Sequence, residues 1–483
     1  MLQKKLKKVA CGLLFFLSSC SLPIAFDPMS YAPDSPNSAW VPYEHKSEVV
    51  TSRYCQPIVP KDFGKEKLTL AELIDIALVN SPITKKSWAE AKAAAANYGK
   101  SLHDYFPSVD FEAHYHRYKS STLTVDPNFP TSVATFYQTI AGPEVTLTYT
   151  LFDFGQRKYS SSEAMYSLQY ADWSHNRELQ TIIQIVMNDY YSYQSAKEKY
   201  TALEQDLADA STALDAAVQK FQNGIAAVGD VVQAKTKYLQ TKIQLTSQKD
   251  EVETDLATLT NDIGLPANIK IHTENFPEKV NPNPILQDVD LLIAKAQKYR
   301  QDYFAATAHV RALESGVYYA KAQGMPRIDT QFDIGKNYFS QGMSEDYHFS
   351  ALIKLSFPLF KGFLYKNQER MAFAKLRKAK ALLEQTELAI AKDVTTANFH
   401  VKNAADNVYN AEAYLEAAQE RFSIALSNYK VGTATILDVL SAQSSLADAR
   451  AREVKSKKDW FMALASLAYA TGTLGFKEQD KTI

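Results

Sequence analysis

The sequence predicts a mainly α protein made of one unit used twice, each unit carrying a β-hairpin suited to a membrane. Three observations predict this. Leu151-Phe152, Gly224, Asp230-Val231, Ala234 and Gly264 recur as Leu359-Phe360, Gly432, Asp438-Val439, Ala442 and Gly472, at a constant offset of 208. Self-similarity at a fixed period marks a duplicated structural unit. The spans between Gly155 and Asn223 and between Gly362 and Val431 contain neither Gly nor Pro. At 1.5 Å per residue, each makes a helix of roughly 100 Å. Polar and apolar residues alternate at matching points of both copies, as strands with one oily and one polar face require.

Taken in order, the chain of 483 residues begins with Lys4, Lys5, Lys7 and Lys8, followed by an apolar run at 9–17. This is the pattern of an export signal, too short to span a membrane. It ends in Leu17-Ser18-Ser19-Cys20, which resembles the bacterial lipobox. That resemblance implies cleavage after residue 19 and a diacylglycerol thioether on Cys20, and Ser21 implies delivery to the outer membrane. An ordinary signal peptide beside a chance cysteine is the other reading. Residues 20–66, rich in proline, are expected to form an extended linker. Without residues 1–19 the chain has 49 basic and 54 acidic residues and, besides Cys20, only Cys55. It therefore folds without an internal disulfide.

The first copy is assigned to 67–264. Residues 70–102 are Ala-rich and expected to be helical, with a break at Ser81-Pro82. Val109, Phe111, Ala113 and Tyr115 then alternate with Asp110, Glu112, His114 and His116, and Val145, Leu147, Tyr149 and Leu151 alternate with threonines. A soluble, half-buried hairpin would alternate in the same way. Upstream of this hairpin the offset between copies is 219 (Pro107 to Pro326, Asp110 to Asp329), so the first copy has 11 additional residues before Leu151. They include Ser120-Ser121-Thr122 and Asp126-Pro127-Asn128 and are expected to lengthen a loop.

The long helix follows. In the second copy its heptad columns are Ile390, Ala397, Ala404, Ala411, Ala418, Ala425 and Val394, Val401, Val408, Leu415, Phe422, Tyr429. The first copy repeats them with one polar exception, Asp189. A 3.5-residue repeat predicts a left-handed supercoil. After a turn comes a helix half as long, 230–262, and the two shorter helices are expected to stack end to end along the long one. Residues 265–288 read as a second Pro-rich linker, 289–474 as the second copy and 475–483 as a tail. In that copy Ile328, Phe332 and Ile334 oppose Asp329, Gln331 and Asp333.

Four strands cannot close a membrane barrel, which needs about eight, and open edges are not tolerated in lipid. Insertion would therefore require copies of the chain to join in a ring. The duplication, the hairpins entered at Phe106-Pro107 and Met325-Pro326, and the turn at Tyr429 to Leu440 resemble the TolC-like outer-membrane factors, and the lipobox resembles their lipoprotein branch, which includes OprM. That resemblance covers about residues 68–474. It implies a homotrimer with a twelve-stranded β-barrel continuing into a twelve-helix α-barrel. It also implies an inner-membrane pump reached through a periplasmic adaptor, and outer-membrane lipid around the barrel. The adaptor would dock on Gly224, Ile225, Ala226, Val431, Gly432, Thr433 and Thr435. Tyr429, Asp230 and Asp438 resemble gate positions, whereas Ala434 and Ser441 stand where the family carries an arginine and an acid, so fewer polar links are expected. Alternatively, Gly432 stops one helix and Asp438 caps the next.

Asp110, Glu112, His114, His116, Asp329 and Asp333 are expected to face the lumen. A metal site at His114 and His116 is conceivable, but a polar wall accounts for the same spacing. Neither a phosphate loop, zinc-ligand spacing nor a nucleophile elbow is present, so neither an enzyme, a cofactor nor a resident metal is expected. The balance of 53 basic and 54 acidic residues gives no basis for a nucleic-acid partner. A coiled-coil structural lipoprotein and a periplasmic adaptor are the rival readings.

Overall fold

The computed structural model describes residues 28–41, 67–124, 130–277, 280–282, 288–339 and 346–475. Residues 1–19, read as a signal peptide, together with Cys20, Cys55, Asp126-Pro127-Asn128 and residues 476–483, lie outside them. The chain divides into two compact units.

The first unit holds a four-stranded antiparallel sheet of β2 (Ser108–Thr124), β3 (Ser132–Phe152), β5 (Arg327–Phe339) and β6 (Asp346–Ser356), in the order β2-β3-β5-β6. The register aligns the faces predicted from the alternation. Val109 opposes Leu147 and Phe111 opposes Val145; across the next seam Leu147 meets Phe332 and Val145 meets Ile334, and these meet Ala351 and Phe349. One sheet face is thus apolar and open: Phe111, Tyr115, Phe349 and Ile353 are each about 70 % exposed. The 11 additional residues correct the expected loop. Ser120, Ser121 and Thr122 are in β2, paired with Phe136, Thr135 and Ala134, so the insertion lengthens both strands. Serine and threonine suit a turn by local bonding, yet threonine suits a strand equally when a partner strand satisfies the backbone.

Each hairpin passes into its long helix through two left-handed residues, Phe154 (φ 50°) and Gly155 (φ 89°) in one copy, Gly362 (φ 56°) and Phe363 (φ 63°) in the other. The glycine and phenylalanine change places, so one strained aromatic persists at each junction. In the first copy Asp153 holds the turn by accepting from Gly155 N (3.1 Å), Arg157 N (2.9 Å) and Arg157 Nε (2.9 Å).

The two long helices, α3 (Gln156–Gln222, 67 residues) and α7 (Leu364–Val431, 68 residues), are continuous. The remaining helices are α1 (Leu70–Asn80), α2 (Pro82–Ser101), α4 (Val228–Asp262), α5 (Val289–Tyr299), α6 (Gln301–Ala322) and α8 (Ile436–Ala470). In the second unit the heptad columns form the core. Ile390, Val394, Ala397, Val401, Ala404, Val408, Ala411, Ala418, Phe422 and Tyr429 are buried, as are Ile182, Val186, Tyr193, Ala196, Ala210 and Ala217.

α1 starts with a capping box, Thr69 with Glu72, and ends where Pro82 forces Ser81 into an extended conformation. The second copy breaks at Arg300 without a proline, which the sequence reading missed. There the guanidinium is buried, donating to Asp302 (2.6 and 3.0 Å), to Asp393 (3.0 Å) and to the carbonyl of Ala470 (3.4 Å). Each break receives the end of the copy's last helix. A Cβ on Gly264 (φ +79°) would sit 2.7 Å from the Asn80 backbone, and one on Gly472 (φ +74°) 2.7 Å from the Arg300 backbone. The end of each copy's last helix therefore abuts the break in its first. α1 packs beside the end of α4, with Leu73, Ile76 and Ala77 against Leu256, Leu259 and Ile263.

The segment read as an extended N-terminal linker is held by the helices where it is described. In the second unit Asn176 grips both polar backbone atoms of Trp40 (2.6 and 2.7 Å), Trp88 Nε1 donates to the carbonyl of Pro33 (2.9 Å), and Trp40 packs edge-on against Trp173. The second linker is likewise partly ordered: β4 (His272–Thr273) pairs in parallel with β1 (Lys67–Leu68), and Gln194 donates to Thr273 Oγ1 (2.8 Å). Proline content reports the lack of regular structure, not the lack of contacts.

Candidate functional site: helix tips and polar sheet face

The tips join α3 to α4 and α7 to α8, both within the second unit. Each long helix stops at a left-handed glycine. At Gly224 (φ +77°) Ile225 N donates to the carbonyl of Lys220 (2.9 Å); at Gly432 (φ +94°) Thr433 N donates to that of Asn428 (2.9 Å). These bonds satisfy last-turn carbonyls that a helix cannot satisfy alone. Of the remaining tip positions, Ala226 lies in the first turn and Thr435 is the N-cap of α8. Ile225, Val228, Val431 and Leu437 are more than half exposed, so both tips present apolar side chains to their surroundings.

An alanine-rich core binds the two tips together: Ala213, Ala216, Ala217 and Ala234 of the first pack with Ala418, Phe422, Tyr429, Ile436 and Val439 of the second. Small side chains let the four helices approach closely, and Tyr429 is 2 % exposed among them. Its hydroxyl donates to Asp230 Oδ2 at 3.4 Å. Burial, then the Asp230 carboxylate, push the phenol up, so it stays a protonated donor. The two predicted gate residues are thus brought together. The third is engaged elsewhere: Asp438 Oδ2 accepts from Thr435 Oγ1 (2.7 Å) and Thr435 N (2.9 Å). That capping box holds its carboxyl below the usual range, so it caps α8 as an anion.

Polar links that sequence reasoning missed surround these. Lys220 Nζ donates to the carbonyl of Tyr429 (2.5 Å) and lies 4.4 Å from the centre of its ring. Arg421 donates to Ser441 Oγ (3.1 Å) and Ser445 Oγ (3.0 Å), and Lys237 to Ser444 Oγ (3.0 Å). Further along, Arg450 bonds Asp206 and Asp209. No periodicity could have found them, because most of the partners stand some 200 residues apart.

On the sheet, all six predicted lumen residues lie on the face opposite the apolar one. Asp110 is level with Thr146 and Asp333, Glu112 with Glu144, His114 with Gly142, and Thr150 with Asp329. Glu144 was missed and adds an acid beside Glu112. The face is less uniformly acidic than expected near Asp329, which accepts from Arg327 Nε (2.6 Å) and is level with Lys354. Glu144 also faces His348, at 3.8 Å. Among the described residues no group of three or more His, Cys, Asp or Glu is arranged to hold a metal ion.

Three comparisons bear on this architecture. The family model described as outer membrane efflux protein matches residues 73–265 and 292–473, one span in each copy. The chain is 26 % identical to Protein CyaE of Bordetella pertussis over 444 residues, 90 % of this chain and 89 % of that one. It is 22 % identical to outer membrane protein TolC of Escherichia coli, covering 85 % of this chain and 83 % of TolC. Among solved structures, the CmeC outer membrane channel of Campylobacter jejuni superposes with a TM-score of 0.73 at 17 % identity, over 85 % of this chain and 87 % of CmeC. VceC of Vibrio cholerae gives 0.70 at 19 %, over 83 % and 96 %. A coiled-coil structural lipoprotein or an adaptor would not match in both copies. A duplicated unit of long heptad helices, each joined to a hairpin with one open apolar face, and the family match across both copies place this chain in the outer membrane efflux protein family, as the outer-membrane channel component of an efflux or secretion system.

Proposed function

We propose that three copies of this chain assemble into one export duct, lipid-anchored through Cys20, with a twelve-stranded barrel in the outer membrane and a twelve-helix tunnel in the periplasm. The observation that carries this is the open sheet. Among the described residues no strand pairs with its edges, β2 and β6, and its apolar face is exposed across all four strands. Lipid tolerates neither an unpaired edge nor a single four-stranded sheet. Cyclic pairing of β2 with β6 of the next copy satisfies both edges. Asp110, Glu112, His114, His116, Asp329 and Asp333 then line the water-filled side.

The tips are the periplasmic mouth. Gly224, Ile225, Ala226, Val431, Gly432, Thr433 and Thr435 offer an apolar, glycine-shaped surface that receives a periplasmic adaptor, which links the duct to an inner-membrane pump. Tyr429 and Asp230 hold the mouth closed at rest, and Asp438 supports the position of α8. Ala434 makes no polar link, and Ser441 makes one to Arg421, so the closed state rests on Tyr429 with Asp230 and on the links from Lys220, Arg421 and Lys237.

Extraction from membranes and electrophoresis with and without heating tests the ring: a species of three chains that collapses to one on heating is expected, and a monomer before heating would defeat the assembly. Crosslinking in cells from a cysteine at Thr433, in a Cys55→Ser background, should capture an adaptor. Capture of none, with the trimer intact, would defeat the docking surface.

A further inference from the structure

We propose that Lys220 is a positioning residue of the mouth: a cationic clasp that holds the end of α7, and with it the second tip, against the first. This deepens the gate reading above and rests on it. The last turn of α7 leaves carbonyls without helical partners, and the helix dipole concentrates negative charge there. α7 carries its own Lys430 in that turn, and Lys220, from the last turn of α3, brings a second cation to the same helix end. Its ammonium donates to the carbonyl of Tyr429 at 2.5 Å and stands 4.4 Å from the centre of the Tyr429 ring. One group therefore makes a charge-assisted hydrogen bond, a favourable contact with the helix end and a cation–π contact.

The clasp works in one direction only. The positions related by the duplication are Asn428 for Lys220 and Phe221 for Tyr429. Asparagine carries no charge, and Phe221 is 46 % exposed where Tyr429 is 2 % exposed. The end of α7 is therefore held by α3, while among the described residues no equivalent lysine bond holds the end of α3 to α7. When the mouth opens, the second tip is the one that must be released, and Lys220 sets the cost of releasing it. The clasp acts on the carbonyl and ring face of Tyr429, whereas Asp230 acts on its hydroxyl. The two restraints are separate.

The test is planar-bilayer recording of the full-length protein carrying Lys220→Met, Lys220→Gln or Lys220→Arg, alone and together with Tyr429→Phe, after each variant is shown to migrate as the heat-sensitive assembly. Lys220→Met and Lys220→Gln should raise open occupancy roughly threefold to tenfold, as expected for loss of a partly exposed cation contact. Lys220→Arg should remain close to wild type. The increase should be the same in the Tyr429→Phe background. Equal opening by Met, Gln and Arg would overturn the clasp in favour of a packing role. If Tyr429→Phe opens the channel and Lys220→Met and Lys220→Gln do not, the clasp fails and the gate stands. If none of the variants alters occupancy, the gate reading itself fails.

Discussion

Asp189 interrupts the heptad seam of α3 at the position where the second copy has Ala397, and this substitution has a thermodynamic consequence. Burial, reinforced by the neighbouring carboxyls of Asp262 and Asp255, pushes its carboxyl from 3.8 up to about 7. Fully expressed, that rise corresponds to about 4 kcal/mol. Asp189 keeps part of its surface in water, which screens the interaction, so about 1–2 kcal/mol is the reasonable expectation. The folded chain binds the proton more tightly than the unfolded chain. Stability from this group is therefore present below about pH 4 and is lost as the pH rises towards about 7, with no further change above. Asp189→Asn keeps the shape, can donate to Asp262 and removes the charge. Thermal unfolding in detergent, followed at pH 3.5 and pH 8, should show the variant more stable than wild type at pH 8 by about 1–2 kcal/mol and nearly equal at pH 3.5. An identical pH dependence in wild type and variant would refute the reasoning, and so would a loss of stability at pH 8.

Three more outcomes follow from contacts described above. Gly472→Ala should destabilise the fold by about 2–4 kcal/mol, since it combines a left-handed alanine with overlap of the Arg300 backbone, and should lower the unfolding midpoint. Arg450→Met removes the partner of Asp206, which is 4 % exposed, and should cost about 3–5 kcal/mol; adding Asp206→Asn should recover most of it in the same unfolding assay. Reversal potentials measured across a KCl gradient should show a mild cation preference that Asp110→Asn with Asp333→Asn reduces; anion preference in the wild type would contradict the assignment of that sheet face to the lumen.

Much of this fold is legible in the sequence, because it is carried by residues close along the chain. Freedom from Gly and Pro over nearly 70 residues, a 3.5-residue seam and a 2-residue alternation each state which backbone can bury one face. Pro82 imposes its break locally, and Gly224 and Gly432 impose their stops in the same way. The pairing of Tyr429 with Asp230 was accessible only through resemblance, but it too depends on positions that the seam and the turn fix. What the tertiary structure alone decided depends on residues far apart in the chain. Arg300 breaks a helix without a proline because Asp393 and the carbonyl of Ala470 await its guanidinium. Residues 33–40 are held by Trp88 and Asn176 despite their proline content. Ser120 to Thr122 extend a strand because a second strand lies beside them. Lys220 had no visible role until the carbonyl of Tyr429, 209 positions away, was brought to its ammonium. Periodicity specifies which face of an element is buried, and only packing specifies which polar group meets it there.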